Sequence, residues 1–147
     1  MVKIKNRGYS IVVQVVKLRK LFPLSKISHR NNRLVWKYTL SPTPLSESYD
    51  IKLVYNYGEH PCIYIVNKEL ELYSGTTRLP HVYNTEKQWL CLYRRSANEW
   101  DSKMLIADTI VPWISEWLYY YEFWQATGDW KGRGIHGNNG PYIKEKK

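Results

Sequence analysis

Cysteine is scarce in this chain: Cys62 and Cys91 are the two among 147 residues, and they form no CxxC pair. That excludes a disulfide framework and points to a reducing cytoplasm as the compartment. Long apolar runs are missing as well. The most apolar stretch, Thr109 to Trp124, is shorter than a bilayer requires and carries Glu116 and Glu122, so no membrane span is expected. The first 20 residues scatter lysine and arginine among their apolar positions, which is not the pattern of a secretory leader. No phosphate loop of the Walker type occurs. The formal GxGxxG match at Gly132 to Gly137 has no strand before it and too little chain after it for a dinucleotide fold. His29, His60, His81 and His136 lack a paired-ligand spacing, so no metal site is expected, and nothing in the sequence implies a cofactor.

Acidic residues are absent from the first 46 positions, which hold ten lysines and arginines; the remaining chain sets 12 basic against 13 acidic groups. The whole net charge of +9 therefore belongs to the N-terminal segment. Such a block suits an acidic protein surface or a nucleic acid, or is simply a solvated basic face. A nucleic-acid role rests on charge alone, and nucleic acid is the less favoured partner.

What is present argues for one folded domain spanning residues 1–147. The hydrophobic content is 44%, with seven tryptophans and 13 tyrosines, enough apolar surface to bury a core. Tyr9 to Phe22 has apolar residues at 11, 15, 18 and 22 and again at 12 and 16, a helical spacing closed by Pro23, although its valines also suit a strand. Arg33 to Leu40 and Tyr49 to Tyr57 alternate apolar and polar positions, and Cys62 to Val66 is a short run of strand formers. Joined by short turns, these three make an antiparallel meander of three or four strands, with Cys62 read as core packing. From Asn67 to Pro80 the signal is weak, and Ser74 to Thr77 suggests an exposed loop. Asp108 or Thr109 is placed to cap a long aromatic helix with Pro112 in its first turn, a stripe at 110, 113, 114, 117, 121 and 124, and Gly128 as terminator. Further apolar residues at 111, 118, 119, 120 and 123 imply cover on more than one side. Residues 138–147 read as a mobile tail. The fold class is α+β.

One stretch carries chemistry. His81 to Trp100 reads HVYNTEKQWLCLYRRSANEW and places Cys91 ten residues after His81. A thiol is a ready nucleophile near neutral pH, and Arg94 and Arg95 follow closely enough to favour the thiolate. The alternative from composition is that Cys91 is a small buried hydrophobe, as most such cysteines are. A peroxide-sensing role would need a resolving cysteine nearby, and Cys62, assigned to a strand interior, does not supply one.

His-x-Tyr, a loop and then Leu-Cys-Leu resembles the active-site segment of ubiquitin-conjugating enzymes, in which a His-Pro-Asn motif precedes the catalytic cysteine at the same spacing. More narrowly, LPHVY, WLCLY and IADTIVPWISEWLYYYEFWQATGDW resemble the conjugating-enzyme-like proteins of CBASS anti-phage systems, encoded beside cyclic-nucleotide synthases. The likeness runs from about Ile11 to His136. It implies a ubiquitin-conjugating-enzyme-like fold, a thioester on Cys91 and an active-site loop organised by His81. Its asparagine is credited with supporting the oxyanion. Here Val82 and Tyr83 replace Pro-Asn, leaving Tyr83 through its hydroxyl, or Asn84 one position late, to take that part.

The resemblance further implies an acyl carrier whose donor is the C-terminal carboxyl of a cyclic-nucleotide synthase, activated elsewhere because this chain has no means of using ATP. A separate activating enzyme is a possible partner. In that family the first helix docks on a partner, which assigns Lys17, Arg19 and Lys20 to protein binding. The alternative is a scaffold of the same fold with little or no catalytic activity, binding the synthase through this basic segment.

Overall fold

A computed structural model of the chain describes residues 8–132. The 138–147 tail and all but Gly132 of the GxGxxG match lie outside the described residues. The chain runs through helix α1 (Ile11–Leu21), strands β1 (Lys26–Arg30), β2 (Arg33–Leu40), β3 (Tyr49–Asn56), β4 (Cys62–Val66), β5 (Val82–Asn84) and β6 (Trp89–Leu90), two 3₁₀ turns (Arg95–Ala97 and Ile106–Asp108), and helix α2 (Ile110–Thr127). The strands form one six-stranded sheet in the order β1-β2-β3-β4-β6-β5, with antiparallel pairing throughout. This is the expected α+β class, and it is consistent with a ubiquitin-conjugating-enzyme-like fold.

Helix wins over strand at residues 11–21 because the apolar period is met by a start and a stop. The Ser10 hydroxyl accepts the Val13 N–H at 3.2 Å, and Pro23 prevents continuation. Ile11, Gln14, Val15 and Leu18 face inward. Gln14 is fully buried and satisfied at both ends of its amide, donating to the Met104 carbonyl at 3.0 Å and accepting the Ile106 N–H at 2.9 Å, which ties α1 to the second 3₁₀ turn. Tyr9 N–H reaches the Ser102 carbonyl at 2.7 Å, an approach that leaves no space for a side chain at Gly8.

The three strands expected from alternation are present: β2 and β4 have the expected bounds, and β3 ends at Asn56, where Tyr57 and Gly58 turn the chain. Three more were not expected. β1 has the polar sequence KISHR and little burial, so no apolar alternation marked it. The available signal was the turn: Asn31 and Asn32 both have positive φ, as a two-residue hairpin connection of the primed type requires. β5 and β6 are three and two residues long, below what periodicity resolves.

On the inner face Leu34, Trp36, Ile51, Leu53, Tyr55, Ile63, Ile65 and Leu90 join the buried sides of α1 and α2 in one core. Because strand side chains alternate, Cys62 lies on the other face with Tyr64 and Val66. Cys62 is therefore half-buried on the outer face, which corrects its assignment to the core.

α2 ends at Gly128 with φ 85°, as expected. Its start differs in detail. Thr109 holds the cap position, but its hydroxyl donates to the Leu105 carbonyl at 2.8 Å and accepts the Trp100 indole N–H at 3.0 Å, while Asp108 pairs with Lys17 at 3.8 Å, so neither side chain caps α2. Ile110, Val111, Ile114, Trp117, Leu118, Tyr121 and Trp124 are buried, whereas Tyr119 and Phe123 are exposed, so the expected cover on several sides stops short of those two rings.

Candidate active site

β6 delivers Cys91, and β5 delivers the residues that face it. His81, just before β5, sits in the left-handed region at φ 50°. That costs about 1–2 kcal/mol for a residue with a side chain, and here it aims the His81 carbonyl at two donors. The Cys91 N–H and the Trp117 indole N–H both reach that oxygen at 3.0 Å. His81 thus joins the cysteine backbone to α2 through its carbonyl, while its ring packs on Trp130 with centroids 4.6 Å apart. Trp117 and Trp130 were not foreseen as site residues; their spacing marks only core.

Cys91 is 6% exposed, less open than the surface position expected for it. It lines a cleft of about 560 Å³ together with Arg78, Pro80, His81, Tyr83 and Asn84. The Cys91 thiol lies 3.5 Å from the Tyr93 carbonyl. The Tyr83 phenol is held well above its ordinary pKa, first by partial withdrawal from water, then by the charge of a Cys91 thiolate and a hydrogen bond to it. Tyr83 is thereby a protonated donor beside the sulfur.

Asn84 does something else. Its side-chain oxygen accepts the Lys87 N–H at 2.7 Å and closes the β5–β6 turn. Both candidate oxyanion donors line the Cys91 cleft, but Asn84 has its side-chain oxygen on the turn whereas Tyr83 lies there under the Arg95 guanidinium.

The two arginines part company. Arg94 turns to Glu99, with its guanidinium nitrogen 3.7 Å from the carboxylate. Arg95 lies over the rings of Tyr83 and Trp89, 4.9 Å and 5.6 Å from their centroids, and places a guanidinium nitrogen 3.7 Å from the Cys62 sulfur. Its stacking holds Tyr83 against β6. Just before β4, His60 and the Tyr93 hydroxyl are 2.8 Å apart. Burial and then the Arg95 charge lower the His60 pKa, and burial raises that of Tyr93, so both are neutral near pH 7.

On the basic segment, Lys17 is engaged with Asp108, while Arg19 and Lys20 are exposed in the last turn of α1. Val12 and Val16, 58% and 59% exposed, lie at helical spacing from Arg19 and Lys20 on one solvent-facing side. No group of three histidine, cysteine or carboxylate side chains able to hold a metal occurs among the described residues, and no described helix is long and apolar enough to cross a membrane.

Residues 14–137 match the family model described as type II CBASS E2 protein. The chain belongs to that family. The match begins within α1 and takes in the whole sheet, the residues that line the Cys91 cleft and α2. It makes this a CBASS-associated, E2-like protein. Comparison with curated proteins gave no match.

Proposed function

We propose that Cys91 is the acyl-carrying nucleophile of a ubiquitin-conjugating-like reaction, with the C-terminal carboxyl of a cyclic-nucleotide synthase as its donor group. The observation that carries this reading is the cleft in which Cys91, its backbone N–H held by the His81 carbonyl at 3.0 Å, is lined by Tyr83 and Asn84. The Cys91 thiolate attacks the carbonyl carbon of a donor thioester, the donor's C–S bond breaks, and the donor's sulfur leaves as thiolate. An amine then attacks the Cys91 thioester, its C–S bond breaks as the amide forms, Cys91 leaves as thiolate, and the proton lost by the amine passes to solvent. Exchange between thioesters is close to balanced in energy, so position and access are the main demands.

Each step develops negative charge on the carbonyl oxygen. Tyr83 supports it by donating its O–H, as a preorganised donor in a site partly withdrawn from water. His81 serves through its carbonyl, fixing the Cys91 backbone against Trp117. The exposed valines of α1 with Arg19 and Lys20 form the partner-facing surface, where burial of apolar area adds to attraction for acidic groups.

The deciding experiment is intact-mass spectrometry of the protein purified with the synthase encoded beside it and any activating enzyme, comparing native protein with Cys91→Ser. A thiol-labile adduct on native protein that becomes a thiol-stable ester on serine is the expected result, and its mass names the donor. No adduct on either form, with equal co-purification of the synthase, sinks the catalytic reading and favours a scaffold that docks through α1.

A further inference from the structure

Cys62 was set aside as a core residue, yet the register between β4 and β6, carried one residue past the end of β6, sets it opposite Cys91. In an antiparallel ladder each step back along one strand is a step forward along its neighbour. Three contacts between the β4 region and the β6 region lie on one register: Ile65 N–H to the Gln88 carbonyl at 3.1 Å, Tyr64 paired with Trp89, and His60 against the Tyr93 hydroxyl at 2.8 Å. Cys62 opposite Cys91 is the pair on that register between Tyr64–Trp89 and His60–Tyr93. Arg95 links the two sides: its guanidinium is 3.7 Å from the Cys62 sulfur and lies over the ring of Tyr83, which lines the same cleft as Cys91.

The kind of pair matters. Hydrogen-bonded and non-hydrogen-bonded pairs alternate, so with Ile65 and Gln88 bonded, Cys62 and Cys91 fall at a non-bonded position. The Cys91 N–H agrees, since it points away from β4 to the His81 carbonyl. Opposed residues at such positions have Cα atoms about 4.5 Å apart with their side chains on one face, within the roughly 4.4–6.8 Å that a disulfide accepts.

We propose that Cys62 is the resolving thiol of Cys91, and that the pair closes as a cross-strand disulfide when the protein meets a hydroperoxide. The Cys91 thiolate attacks one peroxide oxygen, the O–O bond breaks, and the other oxygen leaves as hydroxide or alkoxide and takes up a proton. Cys91 is then a sulfenic acid. The Cys62 sulfur attacks the Cys91 sulfur, the S–O bond breaks, and hydroxide leaves with the Cys62 proton as water. The two thiols lose two electrons and two protons, and the hydroperoxide is reduced to water or an alcohol plus water. While the bond stands, Cys91 has no nucleophile to offer, and a thiol reductant restores it.

The inference does not depend on acyl transfer, because its readout is the state of two sulfurs. Full-length protein is treated with increasing hydrogen peroxide, then analysed by alkylation, non-reducing intact mass and peptide mapping, alongside Cys62→Ser and Cys91→Ser. The expected wild-type product is a monomer lighter by two hydrogen atoms, with a Cys62–Cys91 cross-linked peptide that dithiothreitol reverses. Cys62→Ser instead accumulates a dimedone-reactive Cys91. Progressive oxygen addition to Cys91 with Cys62 still alkylatable in wild type overturns the proposal, and so does a disulfide between two copies of the chain. A disulfide in a protein that never carries an acyl adduct leaves this inference standing and removes the proposed function; an adduct without the disulfide does the reverse.

Discussion

The meander from Arg33 to Val66 and the segment from Asn67 to Trp100 share one sheet and are held by different means. In the meander, stability is spread over many buried apolar side chains: Leu34, Trp36, Ile51, Leu53, Tyr55 and Ile63 are all essentially sealed from water. In the later segment a few polar groups do the holding. The Gln88 side chain accepts the Leu70 N–H at 2.8 Å and donates to the carbonyls of Ile65 and Lys68 at 3.0 Å each, and the His81 carbonyl gathers Cys91 and Trp117. Distributed burial tolerates sequence drift but fixes no single atom. Directed hydrogen bonds fix atoms, which is what a reacting sulfur requires, and each is separately breakable.

The largest expected loss comes from the meander. Trp36→Ala empties a fully buried site packed against Phe22 and Tyr38, with ring centroids 5.7 and 5.3 Å away. It should cost about 3–5 kcal/mol, seen as a fall in the urea midpoint with all probes shifting together. An unchanged midpoint would mean that the core does not carry the fold.

Gln88→Ala is expected to come next, at about 1–3 kcal/mol, because it strands a buried N–H and two carbonyls. The sharper expectation is its distribution. Amide exchange should accelerate around Leu70 and the β5–β6 turn while β2 and β3 amides keep their protection. Uniform acceleration across the sheet would break the contrast between the two regions.

The same contrast explains how much was legible beforehand. Burial of alternate side chains writes itself into composition, so β2, β3, β4 and the two helices could be read from period and punctuation. Cys91 and His81 were singled out only through the resemblance to ubiquitin-conjugating enzymes, since composition alone reads a lone cysteine as a small buried hydrophobe. The atoms that hold the site were not: a carbonyl oxygen has no letter, so His81 is readable as a histidine while its work here is done by its backbone. Cys62 was misplaced because CIYIV reads as apolar throughout, and only the sheet register shows that Ile63 and Ile65 take the core face. Arg95 was readable as a charge near Cys91, but its stacking on Tyr83 and Trp89 depends on a hairpin too short to detect.

Trp117→Phe tests the directed bonds at smaller scale. It keeps the buried ring and removes the indole donor to the His81 carbonyl, which retains the Cys91 N–H. A loss of about 1 kcal/mol is expected. Acyl loading of Cys91, measured by mass spectrometry, should fall by a larger factor than stability does. Equal, small losses in both would reduce Trp117 to a packing residue.

Tyr83→Phe should have the least effect on stability, within about 0.5 kcal/mol, since the residue is 42% exposed. Its effect on chemistry should be the reverse, roughly a hundred- to thousand-fold loss in amine transfer if one oxyanion donor is removed, with the phenylalanine ring still under Arg95. The pH dependence supplies the sign. A phenol whose pKa is raised in the folded protein keeps its proton as pH climbs through the ordinary tyrosine value of about 10, so wild-type transfer should not decline there on account of Tyr83. The same shift contributes stability that is complete below that value and is lost above it, because the folded state then binds a proton that the unfolded chain has released. Tyr83→Phe should therefore flatten part of the alkaline loss of stability while lowering transfer at every pH. A variant that transfers as well as wild type would leave Tyr83 as one more aromatic on the outer face and return the oxyanion role to Asn84, whose side-chain oxygen is already committed to the turn.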